Sequence, residues 1–172
     1  MEYESIRDSL PTICHSILDI GCGMAGIDNF LNRHYQDSEV SFFLLDKTKI
    51  EDMVYYSFEE KGAFYNSLEI ASLTLAGNGV SPDRITLLEA NDRNEIPLNS
   101  RMDLVISLLS WGFHYPVQTY LERVHELLVP GGVLILDVRK GTDGLAKVQR
   151  TFGKCEILLD EIKYHRVLAI RN

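Results

Sequence analysis

The sequence has 172 residues, 45% of them hydrophobic and 24% charged, which suits one compact domain with a full core and excludes a chain too polar to fold. The formal net charge is −8, so general binding to phosphate backbones is disfavoured. The three cysteines, Cys14, Cys22 and Cys155, have no metal-type spacing and an odd count that argues against a disulfide framework. No apolar stretch is long enough to span a bilayer. The N-terminus carries acids where a signal peptide would be apolar, so a cytoplasmic setting is expected.

Short apolar runs alternate with segments of helical period, the pattern of βα units feeding a parallel sheet. Ser16 to Ile20 reads as the first strand. Glycines follow it, then Ile27, Phe30, Leu31 and Tyr35 at helical spacing. Val40 to Leu45 reads as the second strand and ends at Asp46. The next stretch, Lys47 to Tyr65, is long for a βα connection and holds Tyr55, Tyr56, Phe58, Phe64 and Tyr65. It reads equally as a binding lid or as a helix wrapped on the core. A helix is expected from about Asn66 to Leu75, stopped by Gly77-Asn78-Gly79.

Strands are expected at Ile85–Leu88, Leu104–Leu109 and Val133–Leu136. Before the last of these, Val117, Leu121, Val124 and Leu128 share one helix face behind Pro116. Pro130-Gly131-Gly132 should end that helix and turn the chain into the strand. Thr142 to Phe152 reads as a short helix. Lys154–Leu159 and Tyr164–Ile170 read as two strands joined by a link that allows a hairpin but no crossover. The expected fold is α/β: a Rossmann-like doubly wound sheet of seven strands, mostly parallel, with an antiparallel C-terminal strand. Residues 1–172 form a single domain, with 47–65 as an insert within it.

Gly21-Cys22-Gly23-Met24-Ala25-Gly26 is a G-x-G-x-x-G placed between a strand and a helix, the context in which that motif carries weight. Glycine allows positive φ, and its missing Cβ lets a ligand approach the main chain. The helix start behind it offers unpaired N–H groups. Dinucleotides and S-adenosylmethionine both use such a loop, and Asp46, 20 residues beyond Gly26, suits the ribose of either. Asp19, at the end of the first strand, discriminates. A carboxylate there opposes a pyrophosphate and suits a ligand with an ammonium group and a sulfonium.

Ile17-Leu-Asp-Ile-Gly-Cys-Gly23, Asp46, Ile85 to Asp92, Met102 to Ser107 and Leu127-Leu-Val-Pro-Gly-Gly-Val133 together resemble the motifs of class I S-adenosylmethionine-dependent methyltransferases, in order along nearly the whole chain. The resemblance implies S-adenosylmethionine as cofactor. It implies that Asp19, Gly21, Cys22 and Gly23 hold the amino-acid end and Asp46 the ribose. Asn91 or Asp92 would meet adenine, with Lys47 along its edge or simply solvated, and Ser107 would line the same site. The aromatic insert is similar to a segment of methyltransferases associated with surface polysaccharides, which implies a saccharide or similar hydroxyl compound as acceptor.

Methyl transfer from a sulfonium is an in-line displacement from a leaving group that is already cationic, so alignment and exclusion of water are the main tasks. For a hydroxyl acceptor a base helps. Leu108-Leu-Ser-Trp-Gly-Phe-His-Tyr-Pro116 follows the fourth strand, where ligands of doubly wound folds sit. His114 is the candidate base, or else it shapes the loop. Tyr65, Asn66, Trp111, His114 and Tyr115 are candidate acceptor contacts, with core packing the stronger reading of Trp111. No Asn-Pro-Pro-Tyr sequence follows this strand, so methylation of nucleobase amino groups by that route is unsupported. His15, His34, His125 and His165 do not pair with acids at ligand spacing, and no metal is expected. The partners expected are a small-molecule acceptor and a second copy of the chain in a homodimer, with no membrane. The competing readings are an NAD(P)-dependent oxidoreductase and a non-catalytic cofactor-binding module completed by a partner.

Overall fold

The structure is a computed structural model. It describes residues 2–50 and 65–172, and the side chains of all of these except 49, 50, 65 and 66. In chain order the elements are β1 (Ser16–Ile20), α1 (Gly26–His34), β2 (Ser41–Asp46), β3 (Lys49–Ile50), β4 (Tyr65–Asn66), α2 (Leu68–Gly77) and β5 (Ile85–Glu89). There follow β6 (Met102–Ser107), β7 (Ser110–Tyr115), α3 (Leu121–Leu127), β8 (Leu128–Arg139), α4 (Gly144–Phe152), β9 (Cys155–Asp160) and β10 (Tyr164–Ile170).

Seven strands form one sheet in the order β5-β2-β1-β6-β8-β10-β9. The first five run parallel, while β10 is antiparallel to both its neighbours. The doubly wound architecture read from the sequence is therefore the one found. Its cause lies in the strand sequences: the parallel strands are apolar on both sides, so both faces must be covered. Leu18 and Ile20 point to the layer holding α3 and α4, with Val105, Leu134, Val124 and Phe152. Ile17 points to the other layer, where Leu31 of α1, Ala71 and Leu75 of α2, and Ile6 of the N-terminal segment close the core. Alternation along β1 therefore aims Asp19 at the α1 side, a consequence of the two-residue strand period.

Several boundaries differ from those expected, each for a local reason. Ser67 caps α2, its Oγ accepting from the Ile70 N–H at 3.4 Å, so the helix starts at Leu68 and not at Asn66. Residues 65 and 66 instead pair antiparallel with 50 and 49. The aromatic segment 51–64 lies outside the described residues. The helix expected over 117–128 is a 3₁₀ turn, Val117–Thr119, followed by α3. The fourth strand stops at Ser107, because Leu109 adopts φ +52°. Ser110 to Tyr115, expected as a loop, is extended beside the end of β8: a Cβ on Gly112 would lie 2.6 Å from the Asp137 carbonyl oxygen. Pro130-Gly131-Gly132 lies within β8 as a bulge, between the pairs Met102–Leu128 and Leu104–Val133. The Gly131 N–H donates to the Arg171 carbonyl at 2.7 Å and ties this bulge to the C-terminal tail. Among the described residues no helix is long and apolar enough to cross a membrane.

Candidate functional site

The carboxyl ends of β1, β2 and β5 converge on a cleft of about 220 Å³. Its walls are Ile20 and Gly21 of the glycine turn, Leu45 to Lys47, Ala90 to Asp92 with Asn94, and Ser110, Trp111, Tyr115 and Tyr120. This is the edge where a doubly wound sheet receives ligands, because the strand order reverses there.

The glycine turn is held by its neighbours. The Gly21 N–H donates to the Leu45 carbonyl at 2.7 Å, and Gly21 has φ +81°. A Cβ at Gly21 would lie 1.8 Å from Ser110 Oγ, whereas one at Gly23 would meet nothing within 4 Å. Gly21 is thus required by the approach of β7, while Gly23, at φ +57°, leaves the main chain approachable from open space. Ala25 also adopts a left-handed conformation, φ 58° and ψ 36°, at the start of α1. Cys22 is buried against this turn, and burial, then the nearby Asp19 carboxyl, pushes its thiol up, away from thiolate reactivity.

Asp46 fixes the turn to β2. Its Oδ2 accepts from the Gly23 N–H at 2.9 Å and its Oδ1 from the Lys47 N–H at 2.7 Å. Lys47 Nζ stands 3.4 Å from Asp92 Oδ1, with both side chains largely exposed, so this ion pair is weak. Asn91 is occupied in its own turn: Oδ1 accepts from the Arg93 and Glu95 N–H groups at 3.0 and 3.3 Å. Asp92 carries the freer acceptor of the two. Thr48 bonds to Glu89 through both N–H and hydroxyl, at 2.8 and 2.9 Å, which pins the base of the insert to β5.

Asp19 is 2% exposed and Asp28, in the first turn of α1, is fully buried. The two carboxyls lie within hydrogen-bonding reach. Burial first, and then Asp28, raise the Asp19 carboxyl well above the usual range. Burial likewise pushes Asp28 up to about 7, against the pull of its hydrogen bond with Asp19. Neither oxygen of Asp28 has a conventional donor among the described residues.

Ser107 does not reach the cleft. It is fully buried, its hydroxyl donating to the Ile20 carbonyl at 2.6 Å and accepting from the Trp111 N–H at 3.0 Å. Trp111 is fully buried, its Nε1 donating to the Val117 carbonyl at 2.9 Å, and its ring meets Tyr120 edge-on at 5.9 Å. It belongs to the core and touches the cleft from beneath. Tyr115 is 51% exposed and lines two hollows. His114 lines only the second, of about 330 Å³, with Phe113, Arg139 and the start of α4. Tyr65 and Asn66 lie in β4 at the base of the insert.

Tyr120 and Asp28 carried no expectation from the sequence, and Ser110 lay in the expected ligand-side loop without an assigned role. Tyr120 is 7% exposed at the cleft wall, and burial raises its hydroxyl. Asp28 had a legible signal. It shares the inward face of α1 with Leu31 and Tyr35, at spacings of three and four. Phe30, expected inward, is 44% exposed and stacks on Tyr3 at 5.5 Å.

No family profile matches this sequence. No curated protein matches it either. Solved structures do. The 16S rRNA N2 G1207 methyltransferase RsmC of T. thermophilus, in complex with AdoMet and guanosine, superposes with a TM-score of 0.68 at 14% identity over 98% of this chain. This chain spans 41% of that protein's length. A methyltransferase from Pyrococcus furiosus gives a TM-score of 0.63 at 15% identity, covering 99% of this chain and 81% of that one. The StiE O-MT gives 0.60 at 15% identity, covering 91% and 51%. At such identities the likeness is one of fold. The chain has the Rossmann-like fold of the class I S-adenosylmethionine-dependent methyltransferases.

Proposed function

We propose that this chain binds S-adenosylmethionine and transfers its methyl group to a hydroxyl of a small polar acceptor, with saccharides the favoured class. The observation that carries the cofactor is the buried Asp19–Asp28 pair at the mouth of the glycine turn, next to the Asp46 carboxylate. That much negative potential opposes the pyrophosphate of a dinucleotide and attracts an ammonium and a sulfonium. The residues fit the group: two buried carboxyls, Asp28 without a donor among the described residues, and a glycine whose missing Cβ opens onto free space.

When bound, S-adenosylmethionine supplies an electrophilic methyl on its sulfonium. Asp19 then pairs with the ammonium end, and the main chain at Gly21 and Gly23 accommodates the methionine portion. Asp46, already oriented by two N–H groups, accepts from the ribose hydroxyls. Asp92, less engaged than Asn91, accepts from the adenine amino group, and Lys47 flanks that edge. Ser110, Tyr115 and Tyr120 close the far end of the cleft and exclude water from the reacting atoms.

The acceptor lies across Tyr115 and reaches into the hollow lined by His114 and Arg139. There His114 takes the hydroxyl proton, with Tyr65 and Asn66 as further candidate acceptor contacts from their sequence. A hydroxyl is favoured over a nucleobase amino group by the net charge of −8 and by Leu108-Leu-Ser-Trp111 after β6. The test is turnover on a panel of hydroxylated sugars and polyols. Replacing His114 by Ala should lower kcat/KM about 100-fold or more while S-adenosylhomocysteine binds as before. Full turnover in H114A would remove His114 from the chemistry.

A further inference from the structure

We propose that Asp28 is a positioning residue for the amino-acid end of the cofactor: it shares one proton with Asp19 in the free protein, and that proton leaves to solvent when the ligand's ammonium group settles on Asp19. The inference rests on the S-adenosylmethionine reading above.

The geometry begins with strand and helix periodicity. Asp19 faces the α1 layer because Ile17, two residues back, does. Asp28 faces β1 because it shares its helix stripe with Leu31 and Tyr35. The two carboxyls therefore meet in a dry interior, 2% and 0% exposed. Among the described residues the groups that act most strongly on them are acidic, Asp46 from β2 and Glu2 from the N-terminal segment, with the neutral Cys22 of the glycine turn beside them. The nearby Asn29 amide is turned away and donates to the Ala25 carbonyl at 2.8 Å. Two carboxyls in contact without a cation cannot both ionise, so the free protein keeps one proton between them. An incoming ammonium supplies the missing positive charge and makes that proton dispensable. A permanent lysine or arginine there would satisfy Asp19 and exclude the ligand. A proton satisfies it reversibly.

The consequence is a ligand affinity that rises with pH. Where the pair is protonated, binding must expel a proton, and Kd should fall by up to about tenfold per pH unit. Above the point where the pair loses its proton unaided, the slope should flatten.

The experiment is calorimetric titration of the full chain with S-adenosylhomocysteine from pH 5.5 to 8, in buffers of different ionisation heat. The wild type should release about one proton at the acid end of this range. Asp28→Asn should release none and give a flat profile, because its amide can donate to an ionised Asp19. Infrared difference spectra of the wild type provide a second measurement, which does not depend on the variant folding: the protonated-carboxyl band should disappear on ligand addition. Binding without proton release, an unchanged band, or equal release from D28N overturns the inference alone. Failure of the ligand to bind at any pH overturns the cofactor reading, and this inference with it.

Discussion

Asp137 on β8 and Asp19 on β1 are both buried acids at the carboxyl edge of the sheet, 0% and 2% exposed, yet they are treated in opposite ways. Asp137 is grasped by Arg166 of β10 through Nε and Nη2, each at 2.7 Å, and its Oδ2 also accepts from the Leu109 N–H at 3.0 Å. Among the described residues Asp19 faces another acid, Asp28, and no basic group. The first arrangement is a closed structural pair of the kind that leaves no capacity for a ligand. The second leaves a buried negative site without a cation, which is costly unless something supplies one. The same fold satisfies a buried carboxylate at Asp137 and leaves the Asp19–Asp28 pair without such a partner among the described residues, which is why the proposed ligand site is placed there.

The largest effect is expected at Arg166. Replacing it with Met strands Asp137 and should destabilise the chain by about 3–5 kcal/mol, measured by urea unfolding. A much smaller loss would show that the β8–β10 pair is not closed as described.

A smaller effect is expected at the glycine turn. Gly21→Ala imposes a left-handed alanine, at about 1–2 kcal/mol, and drives its methyl into Ser110 Oγ. S-adenosylhomocysteine affinity should fall with stability. Adding Ser110→Gly should recover the part due to the clash and leave the part due to φ. No recovery would mean that β7 does not rest on the turn.

The smallest effect is in the pH dependence of the free protein. Asp28 has its folded value raised from 3.8 to about 7. A raised acid contributes stability that is complete below its unfolded value and is lost as pH rises through the folded one. The ligand-free Tm should therefore decline between about pH 4 and 7, and less so in D28N. A Tm that climbs across this window would show that the pair is ionised in the free protein.

How much of this was legible follows from where the information resides. The parallel sheet and its two covered faces come from alternation and apolar runs, and these were present in Ser16–Ile20, Val40–Asp46 and Met102–Ser107. Asp19, Gly21, Gly23 and Asp46 are local to a short motif and its following strand, so the sequence placed them. Ser107 was expected to line the cofactor site and Trp111 was left open between pocket and core, because their roles depend on a contact between β6 and β7 that no periodicity reveals: the hydroxyl of one binds the N–H of the other. The Val117–Leu128 helix was overextended because its apolar spacing continues through residues that form a 3₁₀ turn. Asp28 was passed over despite its spacing with Leu31 and Tyr35, since a carboxylate on a helix reads as a solvated face until the opposing strand is known.

On the proposed function the glycine turn and its acids bind S-adenosylmethionine and not a dinucleotide. The most direct measurement is thermal unfolding of the full chain with S-adenosylmethionine, S-adenosylhomocysteine or NADH, each in excess. A bound ligand raises Tm by stabilising the native state. The account predicts that both adenosyl amino acids raise Tm and NADH does not, with the rise lost in Asp46→Ala. Stabilisation by NADH alone would contradict it.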